Sequence, residues 1–312
     1  MAEAMAKEKK RSASADFFVR LVREKPLGTF GGAITLLFLL TAIFSGFLAP
    51  YEMNDIGVAP RLSAPSSGYP LGSDQLGRDM LSRIIYGARI SVIVGLAATT
   101  LATLISTILG GLSGFFGGKF DLVVQRFVDG WMSFPGLIVL IVAVTLVGPG
   151  LWQIITVMGV MTGIGGSRIV RSAVIGIKEN VYVEASRAVG CSTTRILVWH
   201  ILPNIMGVVF ILYTTRVPLM ILQEASLSFL GLGIPPPAPT WGGMLSIDGR
   251  RYMLQSPWLA FWPGLALSTV VYGVSMFGDA VRDLLDPRLR GGGGRYSGVE
   301  AKLKKRRQKG KK

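Results

Sequence analysis

Long stretches without a charged side chain limit what this chain can fold into. Residues 130–167 run for 38 residues without Asp, Glu, Lys or Arg, and residues 27–49 form an apolar run of 23 residues. A helix of about 20 apolar residues crosses the hydrocarbon core of a bilayer, so both stretches predict transmembrane helices. Half of the residues are hydrophobic and the mean hydropathy is +0.50, which also favours an integral membrane protein over a soluble domain.

We predict an all-α integral membrane protein with about six transmembrane helices. The stretch 130–167 is too long for one span and suits two short spans, with Gly148-Pro149-Gly150 as the hairpin between them. The basic start of the chain is similar to the first part of a signal peptide, but the apolar run that follows is too long for one, so we interpret it as a retained helix. The predicted spans are residues 27–49, 90–116, two spans within 130–167, 201–223 and 257–278.

The distribution of basic residues along the chain tests the predicted number of six spans. The chain has 33 Lys and Arg against 18 Asp and Glu, a net charge of +15, which suits either nucleic-acid binding or the charge bias of membrane topology. With six spans, 26 of the basic residues fall on one side of the membrane and six on the other. Cytoplasmic loops carry the excess of Lys and Arg, so we expect both termini in the cytoplasm and no nucleic-acid partner.

The predicted organisation has five parts along the chain. The last part includes Lys302–Lys312, which carries eight basic residues and is expected to lie along anionic lipid headgroups or in solution. The five parts are a basic cytoplasmic N-terminus (1–26), the first transmembrane helix (27–49), an external loop with an interfacial helix (50–89), a five-helix core (90–281) with a cytoplasmic loop at 168–203, and a basic cytoplasmic tail (282–312).

Local patterns predict several contacts. Gly110, Gly114 and Gly118 are four residues apart within the second span, a spacing of small residues that allows another helix to approach closely. Three pairs of opposite charge stand three or four residues apart, where helical side chains meet. These pairs are Asp74–Arg78, Asp79–Arg83 and Arg126–Asp129.

The cytoplasmic loop contains a polar stretch that reads VYVEASRAVGCSTTRILVWHILPN (181–204). Its first part favours a short helix that ends at Gly190, and Ser192 to Thr194 can cap a second helix that continues into the fifth span. Ala185 and Ala188 are small enough for a partner's backbone to come close, and Glu184 and Arg187 are charged. Such a segment suits a lever that receives force from a cytoplasmic partner. A surface helix that only rests on headgroups is the alternative.

This stretch resembles the EAA loop of ABC importer permeases. The matching residues are Glu184-Ala185, then Gly190, then Leu202-Pro203, with Ser186 in place of the usual second Ala and His200 in place of the usual Ile. Four further stretches resemble the C-type subunit of the dipeptide/oligopeptide/nickel branch of that family. They are PLGSDQLGRDMLSRIIYGAR (70–89), RFVDGWMSFP (126–135), EASLSFLGLGIPPPAPTWGGML (224–245) and GDAVRDLLDPRLR (278–290).

The resemblance implies a type I ABC importer permease in the inner membrane of a bacterial or archaeal cell. Its partners would be a second homologous permease subunit, two cytoplasmic ATPase subunits, an extracytoplasmic substrate-binding protein and membrane lipid. Its substrates would be di- or oligopeptides, although this branch also moves nickel, opines and sugars. The EAA loop would be the helix that couples to the ATPase, through Tyr182, Glu184, Ala185, Ser186, Ala188 and Gly190.

The chain is not expected to be an enzyme. The phosphate-binding pattern G-x-x-x-x-G-K-[ST] is absent. Gly118-Lys119 comes nearest to it, but Ser113 stands where the first Gly should be and Phe120 follows the Lys. His200, the single histidine, has neither the further ligands that metal binding requires nor the paired group that catalysis requires. Cys191 is the single cysteine, so no disulfide can form within the chain. We therefore expect no catalytic residue, no metal and no cofactor on this chain, with ATP and magnesium on the partner ATPases.

Arg216 and Glu224 are the candidates for the translocation path. Arg216 lies within the fifth span, about 12 Å from its outer end at 1.5 Å per residue, and a charge at that depth faces a partner or water. It either pairs with a carboxylate of this chain or of the second permease, or contacts a carboxylate of the substrate. The rival to an importer subunit is a self-contained secondary transporter or channel, which usually has two repeated halves and ion-coupling groups within its spans. An intramembrane enzyme would need a paired nucleophile and base, and none is visible.

Overall fold

The computed structural model of the protein describes residues 13–285, and this range is built from helices. Thirteen α-helices and two short π-helical segments occur in it, and no β-strand does. The predicted all-α class is therefore confirmed. Residues 1–12 and 286–312, which include most of the basic tail predicted at 282–312, lie outside the described residues.

The helices are numbered in chain order. The first seven are α1 Ala13–Glu24, α2 Pro26–Ile43, α3 Ser45–Leu48, α4 Met80–Phe116, α5 Gly118–Met132, α6 Gly136–Val147 and α7 Leu151–Lys178. The others are α8 Val181–Ala188, α9 Thr193–Arg195, α10 Leu202–Phe229, α11 Trp241–Met244, α12 Arg250–Tyr252 and α13 Trp258–Leu285. The π-helical segment Ile196–Ile201 joins α9 to α10 in one continuous helix, Thr193–Phe229, and the segment Leu245–Gly249 joins α11 to α12.

Five helices of the described range are long and apolar enough to cross a membrane. They are α2, α4, α7, the continuous helix Thr193–Phe229 and α13. Helix α6 has 12 residues, about 18 Å at 1.5 Å per residue, which is shorter than the roughly 30 Å of a hydrocarbon core. Helices α5 and α6 together pass the same test but are bent by 89°. The predicted number of six is reached when this bent pair counts as one span.

Several helices extend beyond the predicted spans. Helix α4 begins ten residues before position 90, α7 continues past Ser167 to Lys178, and Thr193–Phe229 exceeds 201–223 at both ends. A charge-free run marks only the part of a helix that lies in hydrocarbon, because charged side chains at helix ends reach water or a partner. The hairpin at Gly148-Pro149-Gly150 is confirmed, since α6 ends at Val147 and α7 begins at Leu151.

Helices α4 and α7 approach each other closely through small residues. A Cβ atom on Gly110 would lie 2.8 Å from the Arg171 backbone nitrogen, and one on Gly114 would lie 2.8 Å from the Arg171 carbonyl oxygen. Gly118, the third glycine of the predicted series, has no atom within 4 Å of such a Cβ. The prediction of close approach is confirmed for the first two glycines, and the structure identifies α7 as the partner.

A loop, not an interfacial helix, precedes α4. The Asp74 carboxylate accepts hydrogen bonds from the backbone nitrogens of Leu76 at 2.8 Å and Arg78 at 2.9 Å, an arrangement that competes with a helix. The predicted ion pair of Asp74 with Arg78 forms, at 2.5 Å from Nε to Oδ2. Asp79 caps α4 by accepting from the Ser82 nitrogen at 2.8 Å. The helix predicted within 50–89 therefore begins only at Met80, and residues 80–89 are the first ten residues of α4.

We predict that Gly110→Ala destabilises the protein, whereas Gly111→Ala does not. The new methyl at position 110 meets the α7 backbone and forces the two helices apart, at a cost of about 1–3 kcal/mol. A Cβ on the neighbouring Gly111 has no atom within 4 Å, so the better helix propensity of Ala should leave stability unchanged or slightly raised. Unfolding by SDS in mixed micelles measures both changes. Equal stability of the two variants would contradict the contact.

Candidate functional site

The polar segment after α7 forms the helix, turn and second helix that its sequence predicts. Helix α8 ends in a Schellman motif, in which Gly190 has a φ of +84°. The Gly190 nitrogen donates to the Arg187 carbonyl at 2.9 Å, and the Cys191 nitrogen donates to the Ser186 carbonyl at 3.0 Å. Ser192 then caps the next helix by accepting from the Arg195 nitrogen at 3.3 Å. The turn between the two helices is therefore fixed by its own hydrogen bonds.

Most of α8 is exposed. Val183 has no exposed surface and packs in a cluster with Phe115, Val174 and Ile201, whereas Val181 is 80% exposed. The Ser186 hydroxyl is turned back onto the Tyr182 carbonyl at 2.8 Å. We call the outward-facing part of this segment the α8 surface; it consists of Tyr182, Glu184, Ala185, Ala188 and Gly190. Of the six residues predicted to couple to an ATPase, five belong to this surface and the sixth, Ser186, is half-buried.

Helix α8 is joined tightly to two membrane helices. Only two residues separate it from α7, and the second of them, Asn180, donates its side-chain amide to the Ile177 carbonyl at 2.9 Å. On the other side, the turn at Gly190 leads into the continuous helix Thr193–Phe229, which includes the π-helical segment and α10. The guanidinium of Arg187 lies 5.7 Å from the centre of the Phe115 ring at the end of α4. Helix α8 is therefore connected to α7 and α10 along the chain and contacts the end of α4.

No pattern in the sequence indicates the burial of Val183 or the contact between Phe115 and Arg187. Val183 stands between exposed residues in a short polar helix, and one buried valine gives no periodic pattern. Phe115 lies about 70 positions earlier in the chain, so local spacing cannot reveal its contact with Arg187. The alternation of apolar Val181 and Val183 with polar neighbours was the available signal, but it does not say which valine is buried.

Arg216 is buried, and neutral groups accept its hydrogen bonds. Its side chain donates to the Ser106 hydroxyl at 3.0 Å and to the Thr162 carbonyl at 3.3 Å, and Ser106 in turn donates to the Gly163 carbonyl at 2.8 Å. The residue as a whole is 6% exposed. Within residues 13–285 it forms no ion pair, so the predicted carboxylate partner is not found in this part of the chain.

Arg216 lines a cavity of about 410 Å³, which we call the Arg216 cavity. Helix α7 supplies one wall through residues between Met161 and Ile169, and α10 supplies Arg216 and Gln223. The remaining wall is the bend between α5 and α6, with Trp131, Met132, Phe134 and Gly136. The cavity therefore combines a cationic group, an amide and aromatic side chains.

Glu224 lies on the same helix but does not line this cavity. It has no exposed surface, and its Oε1 accepts from the Ser228 hydroxyl at 2.6 Å. Its second carboxylate oxygen is enclosed and has no hydrogen-bond donor among the described residues. Ser228 lines a separate cavity of about 280 Å³ together with Arg78, Arg83 and Pro235. The two residues predicted for the path are thus held in different places.

Comparison with known proteins identifies the family. The family described as "Binding-protein-dependent transport system inner membrane component" matches residues 106–291, which is more than half of the chain. The chain belongs to this family. It is therefore a multi-pass membrane component of a binding-protein-dependent transport system, and the predicted resemblance to ABC importer permeases is confirmed.

Curated relatives are similar along most of their length. The oligopeptide transport system permease protein OppC of Bacillus subtilis is 38% identical over 268 residues, which cover 86% of this chain and 88% of the relative. The dipeptide transport system permease protein DppC of the same organism is 38% identical over 280 residues, covering 89% and 87%. The glutathione transport system permease protein GsiD of Pectobacterium atrosepticum is 34% identical over 281 residues, covering 90% and 93%.

A solved structure supports the fold. A chain of the MetNI methionine ABC transporter in inward-facing conformations aligns with a TM-score of 0.54 and 19% identity, covering 66% of this chain and 98% of that chain. At this identity the likeness concerns the fold alone. The permease fold predicted from the sequence is therefore confirmed.

We predict that Val183→Asp releases α8 from the bundle, whereas Val181→Asp does not. A carboxylate at the fully buried position 183 costs several kilocalories per mole, while position 181 is 80% exposed. Hydrogen exchange of the amides in residues 182–190 should accelerate at least about tenfold in the first variant and remain unchanged in the second. Unchanged exchange in Val183→Asp would show that α8 is held by other contacts.

Proposed function

We propose that this permease forms half of the translocation pore of an ATP-driven importer for di- or oligopeptides. The names of the relatives support the substrate class, since permeases of oligopeptide and dipeptide transport systems are among them. The α8 surface carries the proposal, because its residues are exposed at one end of the bundle while α8 is joined directly to two spans. A helix in this position suits docking on a cytoplasmic ATPase.

The proposal assigns ATP hydrolysis to partner subunits. The chain itself binds no cofactor and carries no catalytic or metal site, and ATP with magnesium binds to two ATPase subunits. A second, homologous permease completes the pore, and an extracytoplasmic binding protein delivers the solute. ATP binding then pushes α8 and changes the pore between inward-facing and outward-facing states. Tyr182, Glu184, Ala185, Ser186, Ala188 and Gly190 form the contact with the ATPase.

We also propose that Arg216 borders the path of the solute. An unpaired guanidinium in lipid costs at least a few kilocalories per mole, and Arg216 instead faces the Arg216 cavity, which α7 and the bend of α5 and α6 line. A carboxylate of the solute or of the second permease would offset its charge there. Glu224, enclosed and bound to Ser228, is a less direct contributor, because it meets the solute only if the outer ends of the helices move apart.

The orientation follows from the charge distribution. With α8 on the cytoplasmic side, both termini lie in the cytoplasm of a bacterial or archaeal cell. Reporter fusions at residue 1 and at residue 312 should then both give cytoplasmic signals. An extracytoplasmic signal at either end would mean an odd number of spans, with the bent pair of α5 and α6 as the segment to reassign.

We predict that Glu184→Lys prevents association with the ATPase without affecting folding. A reversed charge on the α8 surface should lower the amount of ATPase that co-purifies at least about tenfold. Glu179→Lys is the matched control, since Glu179 is also exposed but precedes α8. Gly190→Pro should have the same effect as Glu184→Lys, because Pro requires a φ of about −65° and has no N–H to donate. Full co-purification and peptide uptake with both variants would contradict the docking role.

We predict that Arg216→Leu abolishes or redirects uptake, whereas Arg216→Lys is partly tolerated if the contact is a point charge. Peptide uptake by proteoliposomes that contain the complete transporter measures the effect. With Cys191 replaced by Ser, a Cys at position 216 should react with a small water-soluble thiol reagent, and substrate should slow this reaction. Wild-type uptake by Arg216→Leu, with no labelling at 216, would refute the path. Uptake driven by an ion gradient without ATP would instead favour a secondary transporter.

A further inference from the structure

We infer that α5 transmits the motion of α8 to the Arg216 cavity, through two ion pairs that bind α5 to α7. This inference rests on the proposed coupling role of α8. The residues assigned are Asp121 and Asp129 on α5 and Arg171 and Arg168 on α7. They are positioning residues, since they act through the helices that they connect and touch neither the solute nor ATP.

The first ion pair is bidentate and joins three helices. The Arg171 Nε donates to Asp121 Oδ1 at 2.5 Å, and Nη2 of the same side chain binds the other oxygen. Ser113 on α4 donates to the same carboxylate and accepts from the Gln125 amide at 3.1 Å. The Asp121 side chain is 14% exposed and that of Arg171 is 31% exposed. A two-pronged contact of this kind fixes the orientation as well as the distance of the two groups.

The second ion pair lies eight residues farther along α5. Arg168 on α7 donates directly to Asp129. The sequence pattern predicted Arg126 as the partner of Asp129, but Arg126 Nη1 is 3.9 Å from that carboxylate and its side chain is 78% exposed. The predicted local pair therefore exists only as a loose contact, and the closer partner of Asp129 comes from another helix.

Polar contacts dominate the attachment of α5. Val128 is its one fully buried residue, whereas Phe120, Leu122, Val123 and Phe127 are each about half exposed or more. An apolar interface tolerates sliding of one surface over another, but paired charges hold a particular register. A long hydrogen bond from Trp131 Nε1 to the Met161 carbonyl, at 3.4 Å, also joins the two helices. With so little apolar burial, the two ion pairs are the main contacts that make α5 follow α7.

The two linked helices, α5 and α7, each lead to a site that the proposed function requires. Helix α7 leads into α8 after two residues, and Val174, one turn from Arg171, belongs to the same buried cluster as Val183 of α8. At its other end α5 provides Trp131 and Met132, which form part of the wall of the Arg216 cavity before the 89° bend into α6. A push on α8 therefore moves α7, the ion pairs carry α5 with it, and the bend changes the shape of the cavity.

The test is a charge exchange in the complete transporter, purified with its partner permease and ATPase subunits and reconstituted in proteoliposomes. Asp121→Asn and Arg171→Gln are compared with the double variant Asp121→Arg/Arg171→Asp. The readout is the number of solute molecules transported per ATP hydrolysed, which a loss of stability alone does not change. Each single variant should lower this ratio at least about fivefold, and the exchanged pair should restore it to within about twofold.

The more exposed ion pair, Asp129 with Arg168, provides an independent version of the experiment if the Asp121 variants fail to fold. Asp129→Asn and Arg168→Gln should lower the same ratio, and Asp129→Arg/Arg168→Asp should restore it. Arg126→Gln is the matched control on α5, and its ratio should equal that of the wild type. Co-purification of the ATPase and uptake by the wild type test the proposed function separately. If the single variants keep the wild-type ratio while the transporter still takes up solute, the inference is wrong and the proposed function is unaffected.

Discussion

The close contact between α4 and α7 is the interaction on which the other features of this permease depend. Inside a bilayer the lipid is as apolar as the helix surfaces, so the hydrophobic effect does not drive helices together. Their association relies on close packing and hydrogen bonds. Gly110 and Gly114 let the backbones meet. This contact holds Ser106 on α4 and Thr162 on α7 where both can accept hydrogen bonds from Arg216. It also holds Phe115 and Val174 beside each other as part of the pocket for Val183.

Charged side chains have two kinds of partner in the described part of the chain: opposite charges on other helices, or neutral hydroxyl and carbonyl groups. Near the α8 end, opposite charges on different helices meet directly, as Asp121 and Arg171 do. Inside the bundle, Arg216 and Glu224 are each met by a hydroxyl or a carbonyl group. Paired charges fix the position of helices that must move together. A charge that is only partly compensated keeps its capacity to attract an opposite charge that arrives later, which is the property that the proposed path for solutes would require.

The sequence predicts features that depend on neighbours along the chain. The hairpin at 148–150 and the turn at Gly190 were correct because turn chemistry is local. Helix ends such as Met80 and Lys178 were missed, because an uncharged run reports the thickness of the hydrocarbon and not the length of the helix. The acceptors of Arg216 and the pairing of Asp129 with Arg168 were also missed. These contacts join residues 39 or more positions apart, and only the packing of α4, α7 and α10 determines them.

The π-helical segment Ile196–Ile201 sets the rotational register of everything that follows it. A π-helical turn holds one residue more than an α-helical turn, and one residue corresponds to about 100° of rotation around the helix axis. Removing a single residue from 196–201 would therefore turn the whole of α10 by that angle relative to α8, and Arg216 would leave its cavity although no residue in contact with it had changed. The length of this segment, more than its composition, links the α8 end of the permease to its interior.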